Sequence, residues 1–152
     1  MLKTEALHPD AMALLLQSGW HPERDMSAEV ERLKRDIFDP EGFILHDEAH
    51  RALNSLLGLT VHQSMPGITQ YRPDIMFEPE YCSAEQDRFE DFGEEIGSAI
   101  SPLGWEKDSY YLLGIAADGR CFALMNHLVF QGSTLEDALN NMLRGIKPSQ
   151  PF

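Results

Sequence analysis

Residues 110–145 read YYLLGIAADGRCFALMNHLVFQGSTLEDALNNMLRG. Tyr110 to Ala116 is a run of apolar and aromatic residues suited to a strand. Ala117-Asp118-Gly119-Arg120 is a hairpin turn, and Cys121 to Leu124 returns beside the first strand. Asn126 to Phe130 reads as a third adjacent strand, closed by Gly132. Ser133-x-x-Glu136 then has the spacing of a capping box. It opens a helix with Leu135, Ala138, Leu139, Met142 and Leu143 on one face, stopped by Gly145 and barred by Pro148. A three-strand meander followed by an amphipathic helix excludes an all-helical chain.

Working back from that segment, the chain alternates between helical and extended patterns. Leu7 to Gln17 is helix-prone, Gly19 stops it and Trp20 follows as an anchor. Ser27 is placed to cap a helix carrying Val30, Leu33, Ile37 and Phe38 on one stripe, broken by Pro40 and Gly42. Asp47 to Leu57 places Ala49, Ala52, Leu53, Leu56 and Leu57 on one face before Gly58. Gly58 to Val61 and Ile75-Met76-Phe77 are short strands, with a turn signal at Met65-Pro66-Gly67 between them. Ser83 to Ile100 reads as a helix opened by a second capping-box pattern, Ser83-x-x-Gln86, after which Pro102 and Gly104 break the chain. The order of elements predicts one α+β domain over residues 1–152, with no linker, repeat or low-complexity stretch.

Composition narrows the function classes. The chain has 152 residues, 43% hydrophobic and 24% charged, as expected of a single soluble core. Its apolar runs are too short to span a bilayer, and the N-terminus has no secretory pattern, so a cytoplasmic location is expected. Two widely spaced cysteines argue against a disulfide framework or a Cys-rich zinc site. The net charge is −13, which opposes direct binding to nucleic acid or an anionic membrane. Residues 78–108 hold ten acids and two bases, so −8 of that charge lies in about one fifth of the chain. Such a local field suits a basic partner or solubility alone.

Few residues have the spacing of catalytic chemistry. His46 and His50 lie one helical turn apart, a separation that can chelate zinc. However, Asp47 and Glu48 satisfy neither HExxH nor HxxEH, and no third ligand has readable spacing. Two helix-surface histidines are the simpler expectation, and no metal or cofactor is expected. There is no GxSxG elbow and no glycine-rich phosphate cradle. Gly93-x-x-x-Gly97 lies on a polar helix and suits close packing. At 100° per residue, Phe89, Phe92, Ile96 and Ile100 form a core stripe. Asp87, Glu90, Asp91 and Glu94 gather between about 100° and 200° from it. That acidic face is the candidate partner-binding surface, extended by Glu78 and Glu80; a solvated face kept for solubility is the competing reading.

Several short motifs, in order, resemble one known family. Ser18-Gly19-Trp20-His21-Pro22-Glu23-Arg24 is similar to the GWxPxR opening of immunity proteins in the third family of the SUKH superfamily. The resemblance continues through Leu56-Leu57-Gly58, Ile75-Met76-Phe77-Glu78-Pro79 and Ser101-Pro102-Leu103-Gly104. It then takes in Asp118-Gly119-Arg120 and Gly132-Ser133-Thr134-Leu135-Glu136-Asp137-Ala138-Leu139, and so covers roughly residues 14–146. It implies an α+β fold with a mixed, mainly antiparallel sheet and flanking helices. It also implies a non-catalytic role, neutralising a cognate protein toxin, often a nuclease, by stoichiometric occlusion. Gly19, Trp20, Arg24, Gly104, Asp118, Gly119 and Gly132 are then expected to hold the fold, with Gly19 and Gly119 in turns. A regulatory or scaffold module of the same superfamily, or a hydrolase using His46 and His50, are the alternatives.

Overall fold

Helices fill the first third of the chain, the helix at Ser27–Leu33 packing on that at Asp47–Leu56 and the one at Pro9–Gln17 on the last helix, Leu135–Arg144. The computed structural model describes residues 1–63, 66–69, 72–107 and 109–148. Helix α1 (Pro9–Gln17) opens on His8, whose ring nitrogen accepts the Asp10 N–H. Helix α2 (Ser27–Leu33) continues through a π-helical turn, Lys34–Phe38, into the short α3 (Asp39–Glu41). Its first N–H, that of Ser27, is taken by Asp25 at 2.9 Å, while the cap position is Met26, so Ser27 lies inside the helix and does not cap it as expected from sequence. Helix α4 (Asp47–Leu56) buries Ala49, Ala52, Leu53 and Leu56, the stripe its spacing predicts.

The sheet follows the chain strand by strand. β1 (Thr60–Val61), β2 (Ile75–Met76), β3 (Ile100–Glu106), β4 (Leu112–Ala116), β5 (Cys121–Leu124) and β6 (Leu128–Gly132) lie in that spatial order. Every pairing is antiparallel. With its helices this is one α+β domain. The turn expected at Met65-Pro66-Gly67 falls partly on Met65, outside the described residues.

Strand β3 corrects the sequence reading, in which Pro102 and Gly104 were chain breakers. Ala117 N–H bonds the Ala99 carbonyl, so by antiparallel alternation residues 99 and 101 turn their backbone groups toward β4. Pro102 faces the other way, where β2, which pairs only with Trp105 and Glu106, does not reach. Its missing N–H therefore costs no ladder bond. The register shifts between Pro102 and Gly104, and a Cβ on Gly104 would collide with the Met76 carbonyl oxygen. Glycine at 104 is what lets β2 come alongside.

Both faces of the central strands are covered, which accounts for the unbroken apolar run of β4. Helix α5 (Gln86–Ile96) lies on one face, with Phe89 against Gly114. Ile115, Cys121 and Gly132 are neighbours across β4, β5 and β6 and share the opposite face. Helix α6 (Leu135–Arg144) approaches there so closely that a Cβ on Gly132 would strike the Ala138 backbone. The cap of α6 is Thr134, whose hydroxyl accepts the Asp137 N–H at 3.1 Å, one residue beyond the expected Ser133. Glu136 is thereby freed from the box. It is 2% exposed and binds Arg51 of α4 at 2.6 Å and the Lys3 N–H at 2.8 Å. Nearby, His8 N–H donates to Asn140 Oδ1 at 2.7 Å, and Asn140 Nδ2 donates back to the Ala6 carbonyl at 2.9 Å.

Candidate functional site

Helix α5 is shorter than its sequence pattern at both ends. Ser83 does not cap it: the Ser83 hydroxyl and the Ala84 N–H both bind the carboxylate of Glu41. At the other end Gly97 takes a left-handed conformation (φ +72°) and stops the helix, so Ile100 lies in β3 and not on the helical stripe. Gly93 is buried and lets the backbone at Ser98 to Ile100 fold back against the helix. Phe89 is buried, and Phe92 and Ile96 are partly so.

Asp87, Glu90, Asp91 and Glu94 are all exposed, as is the adjacent Glu95. Glu90 accepts a hydrogen bond from Gln86, and no basic side chain among the described residues forms an ion pair with any of the five. Asp87 lies in the first turn, where the helix dipole favours it; the later acids lack that help. Beside them a cleft of 520 Å³ runs between α5 and the segments 42–44 and 97–100. Phe43 and Phe89 meet edge to face at 5.5 Å in its floor, Ile44 is 59% exposed at its side, and Glu90 and Glu94 stand on its border. Sequence periodicity gathered the acids; the cleft depends on the 42–44 loop, which no local pattern connects to α5. Glu78 and Glu80 do not line this cleft. They border a second one of 410 Å³ beside Glu29 and Arg32 of α2.

The motif residues take turn conformations or make their hydrogen bonds to other parts of the chain. Gly19 and Gly119 take positive φ, +108° after α1 and +97° between β4 and β5. Trp20 is 3% exposed. Arg24 donates to the Ser55 carbonyl at 2.9 Å and the Leu57 carbonyl at 2.7 Å, placing a cation on the unpaired end of α4. Asp118 and Arg120 do the same for α5. The Asp118 carboxylate holds the Arg120 side chain at 3.0 Å, and Arg120 Nη2 donates to the Ile96 carbonyl at 3.1 Å. The Arg120 bonds keep the Asp118 carboxyl below the usual carboxylate range. Arg24 and the Asp118–Arg120 pair are thus two clamps on helix C-termini.

His46 and His50 do not converge. His46 Nδ1 accepts the Ala49 N–H at 3.2 Å, which leaves the proton on Nε2, donated to the Ile115 carbonyl at 2.9 Å. Burial lowers its pKa, and both ring nitrogens are committed to backbone groups. His50 lies 3.8 Å from Glu31 instead. Among the described residues no group of three or more His, Cys, Asp or Glu side chains is placed to hold a metal ion, and no helix is long and apolar enough to cross a membrane. Cys82 and Cys121 are free and buried, and burial raises both thiols far above the range of a reactive thiolate.

In comparisons with known proteins, no curated protein and no solved structure matches the chain. One family model, described as SUKH-3 immunity protein, matches residues 7–145.

Proposed function

Because the chain belongs to the SUKH-3 immunity protein family, we propose that it protects the cytoplasm by binding a cognate protein toxin and blocking it stoichiometrically, without catalysis. The toxin is expected to be basic, and a nuclease fits best. A protein that must approach nucleic acid carries cationic surface, and an acidic inhibitor meets that surface in place of phosphate. The observation that carries this reading is the exposed row Asp87, Glu90, Asp91 and Glu94, unpaired with any base among the described residues and running beside the apolar cleft of Ile44 and Phe43. Carboxylates at a rim and an apolar centre are the usual division of labour at a protein interface. Glu78 and Glu80 offer a secondary contact on the cleft beside α2.

The test is capture of the toxin with purified protein, followed by kinetics against a variant in which Asp87, Glu90, Asp91 and Glu94 become Asn or Gln. Steering predicts an association rate that falls with salt and falls again in the variant, with a smaller change in dissociation. An unchanged on-rate at low salt, with protection intact in cells, would move the contact surface away from α5.

A further inference from the structure

A third cleft, unrelated to α5, opens on the sheet face that α6 covers. It measures 300 Å³ and is bounded by Glu106, Ser109, Tyr111, Val129, Gln131 and Met142. Glu106 ends β3, in register with Ile75 of β2, and is partly buried. Its carboxylate accepts the Ser109 hydroxyl at 3.2 Å and meets no cation among the described residues. Gln131 comes from the facing wall. Cys121 pairs with Gly132 and Phe122 with Phe130, so Gln131 is the extra residue of a bulge in β6, a device that re-aims a side chain. The Gln131 backbone carbonyl is held by Asn141 Nδ2 at 2.8 Å. Its side chain is 5% exposed, lines the cleft, and makes no hydrogen bond within the described residues. An acid without a counter-ion and an amide without a hydrogen-bond partner among the described residues therefore line one cavity with apolar walls, both open to a polar group that enters it.

We propose that this cleft binds a guanidinium or primary ammonium group on a short aliphatic stem, with the charge on Glu106, an N–H on the Gln131 amide oxygen and the stem between Val129 and Met142. The neighbouring charged groups are engaged elsewhere. Asp74 takes the Gln63 N–H at 2.7 Å and pairs with His62 at 3.0 Å, and Arg72 donates to the Leu143 carbonyl. Tyr111 contacts His127, and Lys107 is exposed. Burial pushes the Glu106 carboxyl up to about 7, so the group is poised between its neutral and charged forms and a bound cation draws it to the charged one. The inference does not depend on the toxin reading.

The experiment is an NMR titration of the full chain with n-propylguanidinium, n-propylammonium and, as a neutral shape control, n-propylurea. The cations should shift the Gln131 side-chain amide and the Glu106 carboxyl resonance, and propylurea should not. Affinity should weaken roughly tenfold from pH 8 to pH 6, as the ionised fraction of Glu106 falls by that factor. Glu106→Gln should weaken it at least as much. Acetyl-Gly-Arg-Gly-amide and agmatine separate the sources: shifts with the peptide mark a protein side chain, shifts with agmatine alone mark a free small cation, and either upholds the site. Silence with both cations, equal binding of propylurea, or a pH-independent affinity overturns it. The last two measurements use the wild-type chain and so stand even if the variant fails to fold.

Discussion

Glu106→Gln should alter the stability of the protein in one pH window and in one direction. Burial raises the folded-state carboxyl from 4.5 to about 7, with the Ser109 hydroxyl only partly offsetting it. Between those values the folded chain keeps a proton that the unfolded chain has released. The contribution of Glu106 is therefore fully present below about pH 4.5 and is lost as pH rises through about 7. Two and a half pKa units at about 1.4 kcal/mol each amount to about 3 kcal/mol. Gln has the same shape, still accepts from Ser109 and does not titrate. The stability difference, variant minus wild type, should thus climb by about 3 kcal/mol between pH 4 and pH 8.5, with the change concentrated between pH 5 and 7. Urea denaturation of both proteins across that range, with unchanged m values, measures it directly. Parallel profiles would refute the reasoning, placing the Glu106 carboxyl in water and removing the electrostatic ground for a cation beside it.

Other substitutions test the remaining packing. Arg24→Ala strips the cation from the Ser55 and Leu57 carbonyls and should cost about 2–3 kcal/mol, since bonds to charged groups are worth roughly 1.5–3 kcal/mol and solvent recovers part of the loss; Arg24→Lys should recover some of it in thermal denaturation. Trp20→Ala should cost about 3–5 kcal/mol, and an unchanged urea midpoint would contradict its burial. Arg51→Met strands Glu136 in the interior and should cost about 3 kcal/mol at pH 7. Burial opposes ionisation of Glu136, but Arg51 and the Lys3 N–H outweigh it and hold its pKa below the usual value. That stabilisation is present above the normal carboxylate pKa and lost as pH falls through the lowered one, so the Arg51→Met penalty should shrink in acid.

The elements legible in the sequence were those whose pattern is local. α1, α4, α6 and the β4–β5 hairpin follow from periodicity and from glycine at the stops. Caps proved less legible, because competing side chains were available one or two residues away: Asp25 takes the Ser27 N–H and Thr134 replaced Ser133. Ser83 was diverted by Glu41, which is distant in sequence. β3 was hidden because proline and glycine interrupt a strand unless the neighbouring strand is absent at one and crowds the other, and both conditions depend on β2. For the same reason the acids of α5 could be grouped from the helical wheel while the cleft beside them could not. Glu106 and Gln131 gave no signal, since only the register of β2–β6 and a bulge bring them to one cavity.

The bonds from Lys3 to Glu136, from His8 to Asn140 and from Asn140 back to Ala6 tie the first residues to the last helix. During synthesis the opening segment leaves the ribosome more than a hundred residues before its partners do. Until α6 emerges, Arg51 lacks Glu136, α1 lacks the helix it packs on and Gly132 has no cover, so α1 cannot dock even where α4 already lies against β3 and β4. Completion of the fold is therefore timed by α6. A chain cut short before residue 135 should lose the docking of α1 and the opening segment as well as one C-terminal element, and a nascent copy should bind no partner that requires the finished surface.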